Sequence, residues 1–270
     1  MSSGTTGQAR SKIYINKENA KSQQNALLGI AASKLGQARL PMLILDTEFQ
    51  IKNRASFTAR GAGILGFMIF GKPRLFALDK DMALDIESIE KFSEIDAEKK
   101  FMYGFTSIIW EEVLEKLEPG AEVFGSQHAV LIHGGGWKKL SDQKISSTAF
   151  NSSIKSKLGR KVEVIDYYGM VEQTGSIFLE NQKGFLETNE YNDVVIRDPF
   201  SLMPVKDGEM GLVQVLSTLP VSYPGFSILT EDMGRIVPAS RHMRTQDIKS
   251  FEIKGRMPKA ELRGCSNTYE

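Results

Sequence analysis

Two short apolar runs flank a helical pattern in the middle of the chain, and that order limits the fold more than any other feature. Ala129-Val130-Leu131-Ile132 and Val162-Glu163-Val164-Ile165-Asp166 have the length and β-branched content of strands. Between them Phe150, Ile154 and Leu158 recur at i, i+4 and i+8. Ser146-Ser147 supplies an N-terminal cap for that helix, and Gly159 stands behind its end. A strand, a helix and a strand in succession pair their strands in parallel through the crossover, so the spacing predicts an α/β core.

The alternation extends toward the N-terminus. Leu27, Leu28, Ala31, Ala32 and Leu35 predict a helix over residues 17 to 36, with Gly36 as its C′ residue. Met42–Leu45, Ile64–Phe70 and Leu75–Leu78 read as strands. Residues 84 to 100 read as a helix with Ile86, Ile89 and Phe92 on one face. Thr106-Ser107 is expected to cap a helix running to about Leu117, stopped by Pro119-Gly120. From about residue 185 the pattern changes to short alternating runs: Val194–Arg197, Leu212–Leu216, Phe226–Leu229, Arg235–Val237 and Phe251–Lys254. These predict a meander or distorted barrel. The expected organisation is an α/β core over about 1–184 and a β-rich subdomain over about 185–270.

Composition removes several function classes. The 270 residues suffice for a large core without a disulfide or metal staple. Lys+Arg 34 against Asp+Glu 33 gives a net charge of +1, so no global field favours nucleic acid or an anionic membrane. One cysteine excludes an intrachain disulfide and a zinc site of several cysteines. No apolar run has the length of a spanning helix, and the start lacks the pattern of a signal peptide. A cytoplasmic setting is the expectation. The small-residue loop directly after Met1 further suggests that the chain starts partway into a longer protein.

Four loops have the residue types for nucleotide chemistry. Ser2-Ser3-Gly4-Thr5-Thr6-Gly7, with Arg10 and Lys12 behind it, offers backbone N–H groups, hydroxyls and cations to an anion. It lacks the Gly-Lys-Ser/Thr of a Walker A loop, and its plain alternative is a Ser/Thr/Gly terminus. His133-Gly134-Gly135-Gly136-Trp137-Lys138 follows a strand, where glycines admit a planar ligand or phosphate to the backbone. The alternative is a tight turn with a packed Trp. Asp166 to Glu172 combines an aromatic able to stack on a purine, Tyr168, with a carboxylate able to hold Mg²⁺, Glu172. Thr230 to Arg235 places Asp232 on a turn as an acceptor for ribose hydroxyls.

The order of these loops resembles the adenylate-forming superfamily of acyl-CoA synthetases, adenylation domains and luciferases. Its Thr/Ser-Ser-Gly-Thr-Thr-Gly-x-Pro-Lys loop is similar to residues 2 to 10, with Ala9 for the proline and Arg10 for the lysine. Its Tyr-Gly-x-Thr-Glu motif resembles Tyr168 to Glu172, with Val171 for the threonine. Gly208-Glu209-Met210-Gly211-Leu212 resembles its Gly-Glu-x-Gly-Glu-Leu segment. Thr230 to Arg235 is similar to its Thr-Gly-Asp-x-Gly-Arg, with Glu231 for the glycine. Gly255-Arg256…Arg263-Gly264 resembles its hinge segment, without the usual Asp. The ending Ala260 to Cys265 and the His-Gly-Gly-Gly-Trp-Lys loop resemble the acyl-protein synthetases of the LuxE type in particular.

The resemblance implies the large domain of an adenylate-forming enzyme, a mixed α/β core plus a β-rich subdomain, with the first portion and the mobile C-terminal domain absent. It implies ATP and Mg²⁺ as cofactors, a fatty acid or other carboxylate as substrate, and an acyl-accepting or reductase partner protein. The acid would be activated as acyl-adenylate and passed to a cysteine. In site terms it implies Ser2, Ser3, Gly4, Thr5, Thr6, Gly7 and Arg10 on the phosphates. Gly134, Gly135 and Gly136 would line the nucleotide, with Tyr168 and Gly169 at the adenine. Glu172 would hold Mg²⁺, Asp232 the ribose with Arg235 beside it, and Cys265 would carry the acyl group. A coenzyme A ligase of the phenylacetate type and a non-catalytic nucleotide-binding fragment are the alternatives. His133 is read as site-lining, and His128 and His242 as surface. Trp110, Phe101 and Phe105 are read as core on helical faces, and Glu111-Glu112-Glu115 as a solvated helix face.

Overall fold

The computed structural model describes residues 13–52, 58–118, 120–135, 145–170, 173, 175–237 and 248–257. The chain divides into two compact units: Met1–Ile13 with Leu27–Val171, and Tyr14–Ala26 with Glu172–Glu270.

The first unit is built on a parallel sheet. Its strands are β1 (Leu40–Thr47), β2 (Gly71–Leu78), β3 (Lys100–Phe105), β4 (Ala129–Gly134) and β5 (Val162–Gly169), in the order β2-β1-β3-β4-β5. All four pairings are parallel, with Met42 opposite Phe101, Tyr103 opposite Ile132, and His133 opposite Asp166. Both faces are covered, which explains why β3 and β4 are buried almost without alternation. On one face Leu43, Leu45, Met102 and Leu131 pack with Phe92, Val113, Phe150 and Ile154 from the helices. On the other, Phe67 stacks on Tyr103 at 4.3 Å and tilts against Phe101.

The helices are α1 (Lys17–Leu35), α2 (Phe49–Lys52), α3 (Ala59–Phe67), α4 (Ile86–Glu94), α5 (Thr106–Ile108) and α6 (Ser147–Lys157). The caps are local chemistry. Thr58, Asp85 and Ser146 each accept a backbone N–H of their own first turn. Gly36 closes α1 at φ 81°, the left-handed conformation that glycine adopts without a Cβ penalty. Among the described residues no helix is long and apolar enough to cross a membrane.

Four sequence expectations change. Ile64–Phe70 is not a strand: it lies in α3 and a following 3-10 turn, Met68–Phe70. An apolar run of seven has no period of its own, and the Thr58 cap upstream decides for helix. The helix expected over 84 to 100 stops at Glu94, because Lys100 opens β3, which places Phe101 and Phe105 on a strand rather than a helical face. Phe101 is core as expected, fully buried. Thr106 does not cap α5, whose N-terminus has no side-chain cap; its hydroxyl goes to His133 instead. Beyond α5 the chain continues as a π-helical turn, Ile109–Leu114.

The second unit carries an antiparallel sheet of β7 (Leu186–Glu187), β8 (Asn192–Arg197), β9 (Gly211–Ser217), β10 (Ser227–Val237) and β11 (Ser250–Arg256), ordered β7-β11-β10-β9-β8. β6 (Ile177–Leu179) also falls in this stretch. The strict alternation of burial along β8 follows from one face being packed. Here too an expectation changes. The run expected over Phe226–Leu229 starts one residue later and continues through Arg235–Val237 as one strand, so Asp232 stands on β10 and not on a turn. The Thr-Glu-Asp-Met-Gly signal marks a register shift between Leu229 and Met233 against β9.

Candidate functional site

The first unit gathers polar groups at the carboxyl ends of its parallel strands, the edge where open α/β sheets bind ligands. His133, the penultimate residue of β4, is 1% exposed. Its Nδ1 lies 2.9 Å from Thr106 Oγ1 and 3.8 Å from Asp166 Oδ1, and its ring packs 4.7 Å from Phe150. Burial pushes the imidazole down to about 3, so it is neutral at physiological pH and exchanges no charge with Asp166. On this geometry its side chain links β4 to α5 through Thr106 and packs on α6 through Phe150.

Next to it, the glycines have distinct reasons. A Cβ on Gly134 would meet the Tyr167 carbonyl at 2.5 Å and its ring at 2.7 Å, so the neighbouring strand itself requires glycine there. Gly135 is exposed, at φ 70°, beside the Phe105 ring. Gly136 lies outside the described residues. On β5, Tyr168 is half-buried and Gly169 exposed at the strand's end. This edge thus brings Gly134, Gly135, Tyr168 and Gly169 onto adjacent strand ends.

Asp232 and Arg235 lie on the second unit. Asp232 stands opposite Arg256 in the β10–β11 register, with Arg256 Nε 3.2 Å from Asp232 Oδ1. Thr230 Oγ1 accepts the Asp232 backbone N–H. Arg235 donates through Nε to Glu252 at 2.6 Å across the same strand pair. Burial alone would raise the Glu252 carboxyl, but hydrogen bonds from Lys254 and Arg235 outweigh it and hold it below its usual range. Arg235 is therefore engaged in a cross-strand pair.

The remaining candidates lie outside the described residues: Ser2, Ser3, Gly4, Thr5, Thr6, Gly7, Arg10, Glu172 and Cys265, together with His242. His128 is exposed and Trp110 half-buried.

The sequence reading passed over two features of the same edge. Asp46, at the end of β1, is fully buried and takes a two-pronged contact from Arg60 of α3, both at 2.5 Å. Its signal was an acid closing an apolar strand run. The Tyr103 and Tyr167 hydroxyls meet at 2.9 Å on β3 and β5. Burial lifts both phenols, Tyr167 to about 12, so they stay protonated and hydrogen-bonded.

Comparison with known proteins adds three findings. The family model described as acyl-protein synthetase, LuxE, matches residues 1–270. A long-chain-fatty-acid–luciferin-component ligase from Aliivibrio fischeri is 28% identical over 151 residues, which is 55% of this chain and 39% of that protein. The chain thus aligns with well under half the length of this relative. Among solved structures, ATP-bound MatB from Rhodopseudomonas palustris superposes with a TM-score of 0.56 at 14% identity, over 88% of this chain and 44% of that one. A 2-hydroxyisobutyryl-CoA ligase in complex with 2-HIB-AMP and CoA gives 0.59 at 14% identity, over 90% and 54%. These likenesses establish the fold of an adenylate-forming ligase domain.

Proposed function

The chain belongs to the acyl-protein synthetase LuxE family, and from that premise we propose that it activates a carboxylic acid with ATP and passes the acyl group to a protein cysteine. The observation that carries this reading is the family match along all 270 residues. The adenylate-forming fold supports it, and so does the aligned relative named as a long-chain-fatty-acid ligase.

In the first step the carboxylate oxygen attacks the α-phosphorus of ATP. A bond forms between acid and phosphorus, and the bond to the bridging oxygen breaks, releasing pyrophosphate. No proton moves and no protein nucleophile is required. What the step demands is stabilisation of phosphate charge by fixed donors. We assign this to the Ser3, Thr5, Thr6 and Gly7 loop, adenine stacking to Tyr168, and the ribose to Asp232.

Mg²⁺ would supply neutralisation of the phosphate charge. It needs one or two carboxylates beside substrate phosphates, so Glu172 alone fits the requirement. Among the described residues no group of three or more His, Cys, Asp or Glu could hold a metal.

In the second step the Cys265 thiolate, its proton given up to solvent, attacks the acyl carbonyl carbon. The thioester forms, and the bond to AMP oxygen breaks. Arg256, Lys259 and Arg263 lie near Cys265 in sequence and would favour its thiolate if the fold keeps them close. A long-chain fatty acid is the substrate we propose, with an acyl-accepting or reductase protein as partner. The cytoplasm supplies the ATP and the reduced thiol that the scheme needs.

The test is exchange of labelled pyrophosphate into ATP by the full-length protein. Fatty-acid-dependent exchange without coenzyme A, followed by labelling of the protein by radioactive acid, is the expected result. Absence of exchange would overturn the activation step. Acyl transfer that requires added coenzyme A would replace the cysteine reading with a ligase.

A further inference from the structure

Residues 219–225, Leu-Pro-Val-Ser-Tyr-Pro-Gly, form no regular element and lead directly into β10. Two buried amide side chains hold them from different sides. Asn19, on the first turn of α1, is fully buried. Its Nδ2 donates to the Leu219 carbonyl at 2.6 Å. Its Oδ1 accepts the Val221 and Ser222 N–H groups at 3.3 Å and the Ser222 hydroxyl at 2.9 Å. One turn on, Gln23 donates to the Tyr223 hydroxyl.

Gln173, also fully buried, donates its Nε2 to the Gly225 carbonyl. Gly175, at φ 87°, lets the same segment lie against α1, since a Cβ there would meet the Gln23 carbonyl at 2.5 Å. The Gln173 Oε1 is buried without a hydrogen-bond partner among the described residues. An amide satisfied on one side only is a poor stabiliser beside a leucine of similar size, because the unmet acceptor has lost its water. The bond to Gly225 therefore contributes geometry more than stability.

That geometry joins three segments. They are the stretch from Gln173 to β6, the strand β10, which carries Asp232, and the first turns of α1. We propose that Asn19 and Gln173 are positioning residues of the nucleotide site. Acting through residues 219–225, they fix the stretch from Gln173 to β6 and the strand that bears Asp232 relative to α1. The inference rests on the nucleotide reading above.

Two measurements on the full-length protein test it. The first is amide hydrogen exchange without nucleotide. Asn19→Ala speeds exchange across 219–226 and also across 175–179, and Gln173→Leu does the same while leaving the melting temperature unchanged or raised. Where Asn19→Ala does not fold, Gln23→Leu, which removes only the bond to Tyr223, takes its place. Unchanged exchange at 175–179 in the α1 variant overturns the inference whatever the enzyme does.

The second is Mg-ATP affinity. Each single variant weakens it roughly 3- to 10-fold, and the double variant by less than the product, because both act through one loop. Multiplicative effects, or Gln173→Leu with wild-type affinity, overturn the inference. Coupling intact in a protein that shows no fatty-acid-dependent pyrophosphate exchange would remove the proposed activity and leave the brace standing.

Discussion

His133 is a buried histidine near the carboxyl end of β4. Its ring is held by Thr106, faces Asp166 and packs on Phe150. Burial lowers its pKa to about 3 from an ordinary value of 6.5. The unfolded chain therefore binds a proton that the folded one refuses. Stability from this group is fully present above about pH 6.5 and is lost as pH falls toward 3, at about 1.4 kcal/mol per pH unit. Urea unfolding at several pH values should show that slope in wild type and one proton less of it in His133→Gln. An identical slope in the variant would mean the histidine is not what titrates. Asp232 poses the opposite question, since Arg256 already contacts it. Asp232→Ala should weaken Mg-ATP binding by about 1–3 kcal/mol if a ribose hydroxyl depends on the carboxylate. Calorimetry giving wild-type affinity would assign the Asp232 carboxylate to the fold rather than to ribose.

At the scale of elements, β4 and the crossover to β5 through α6 were legible because length, cap and period agreed. Ser146, Phe150, Ile154 and Leu158 do in the structure what their spacing says. Ile64–Phe70 was not legible, because a continuous apolar run fits a buried helix as well as a buried strand. The Thr230–Arg235 stretch reads as a turn because Asp and Gly are turn residues, yet a bulged strand uses the same residues to shift register. The glycines after β4 were noticed for their room for a ligand, whereas at Gly134 the neighbour is Tyr167. Gly134→Ala should therefore destabilise the protein by about 1–3 kcal/mol through overpacking against a strand backbone that cannot yield. Denaturant melts showing no loss would mean that β5 moves aside freely.

For the molecule as a whole, the order of short loops along the chain carried the functional reading further than any single residue did. Tyr168 and Asp232 each belong to common kinds of sequence, and only their succession with the Ser2–Gly7 loop and Cys265 singles out one chemistry. What the sequence left unread is the wiring between these segments, Asn19 to residues 219–222 and Gln173 to Gly225, because contacts 52 to 203 positions apart leave no local period. The reaction divides at Cys265: adenylate formation needs no thiol, and thioester formation does. Serine, far less acidic, is a poor substitute at neutral pH. The decisive measurement is therefore Cys265→Ser in the full-length protein, assayed for both half-reactions with the same fatty acid. The expected result is retained exchange of labelled pyrophosphate into ATP and loss of protein-bound acyl label that hydroxylamine releases. A variant that still acquires hydroxylamine-sensitive label would contradict it.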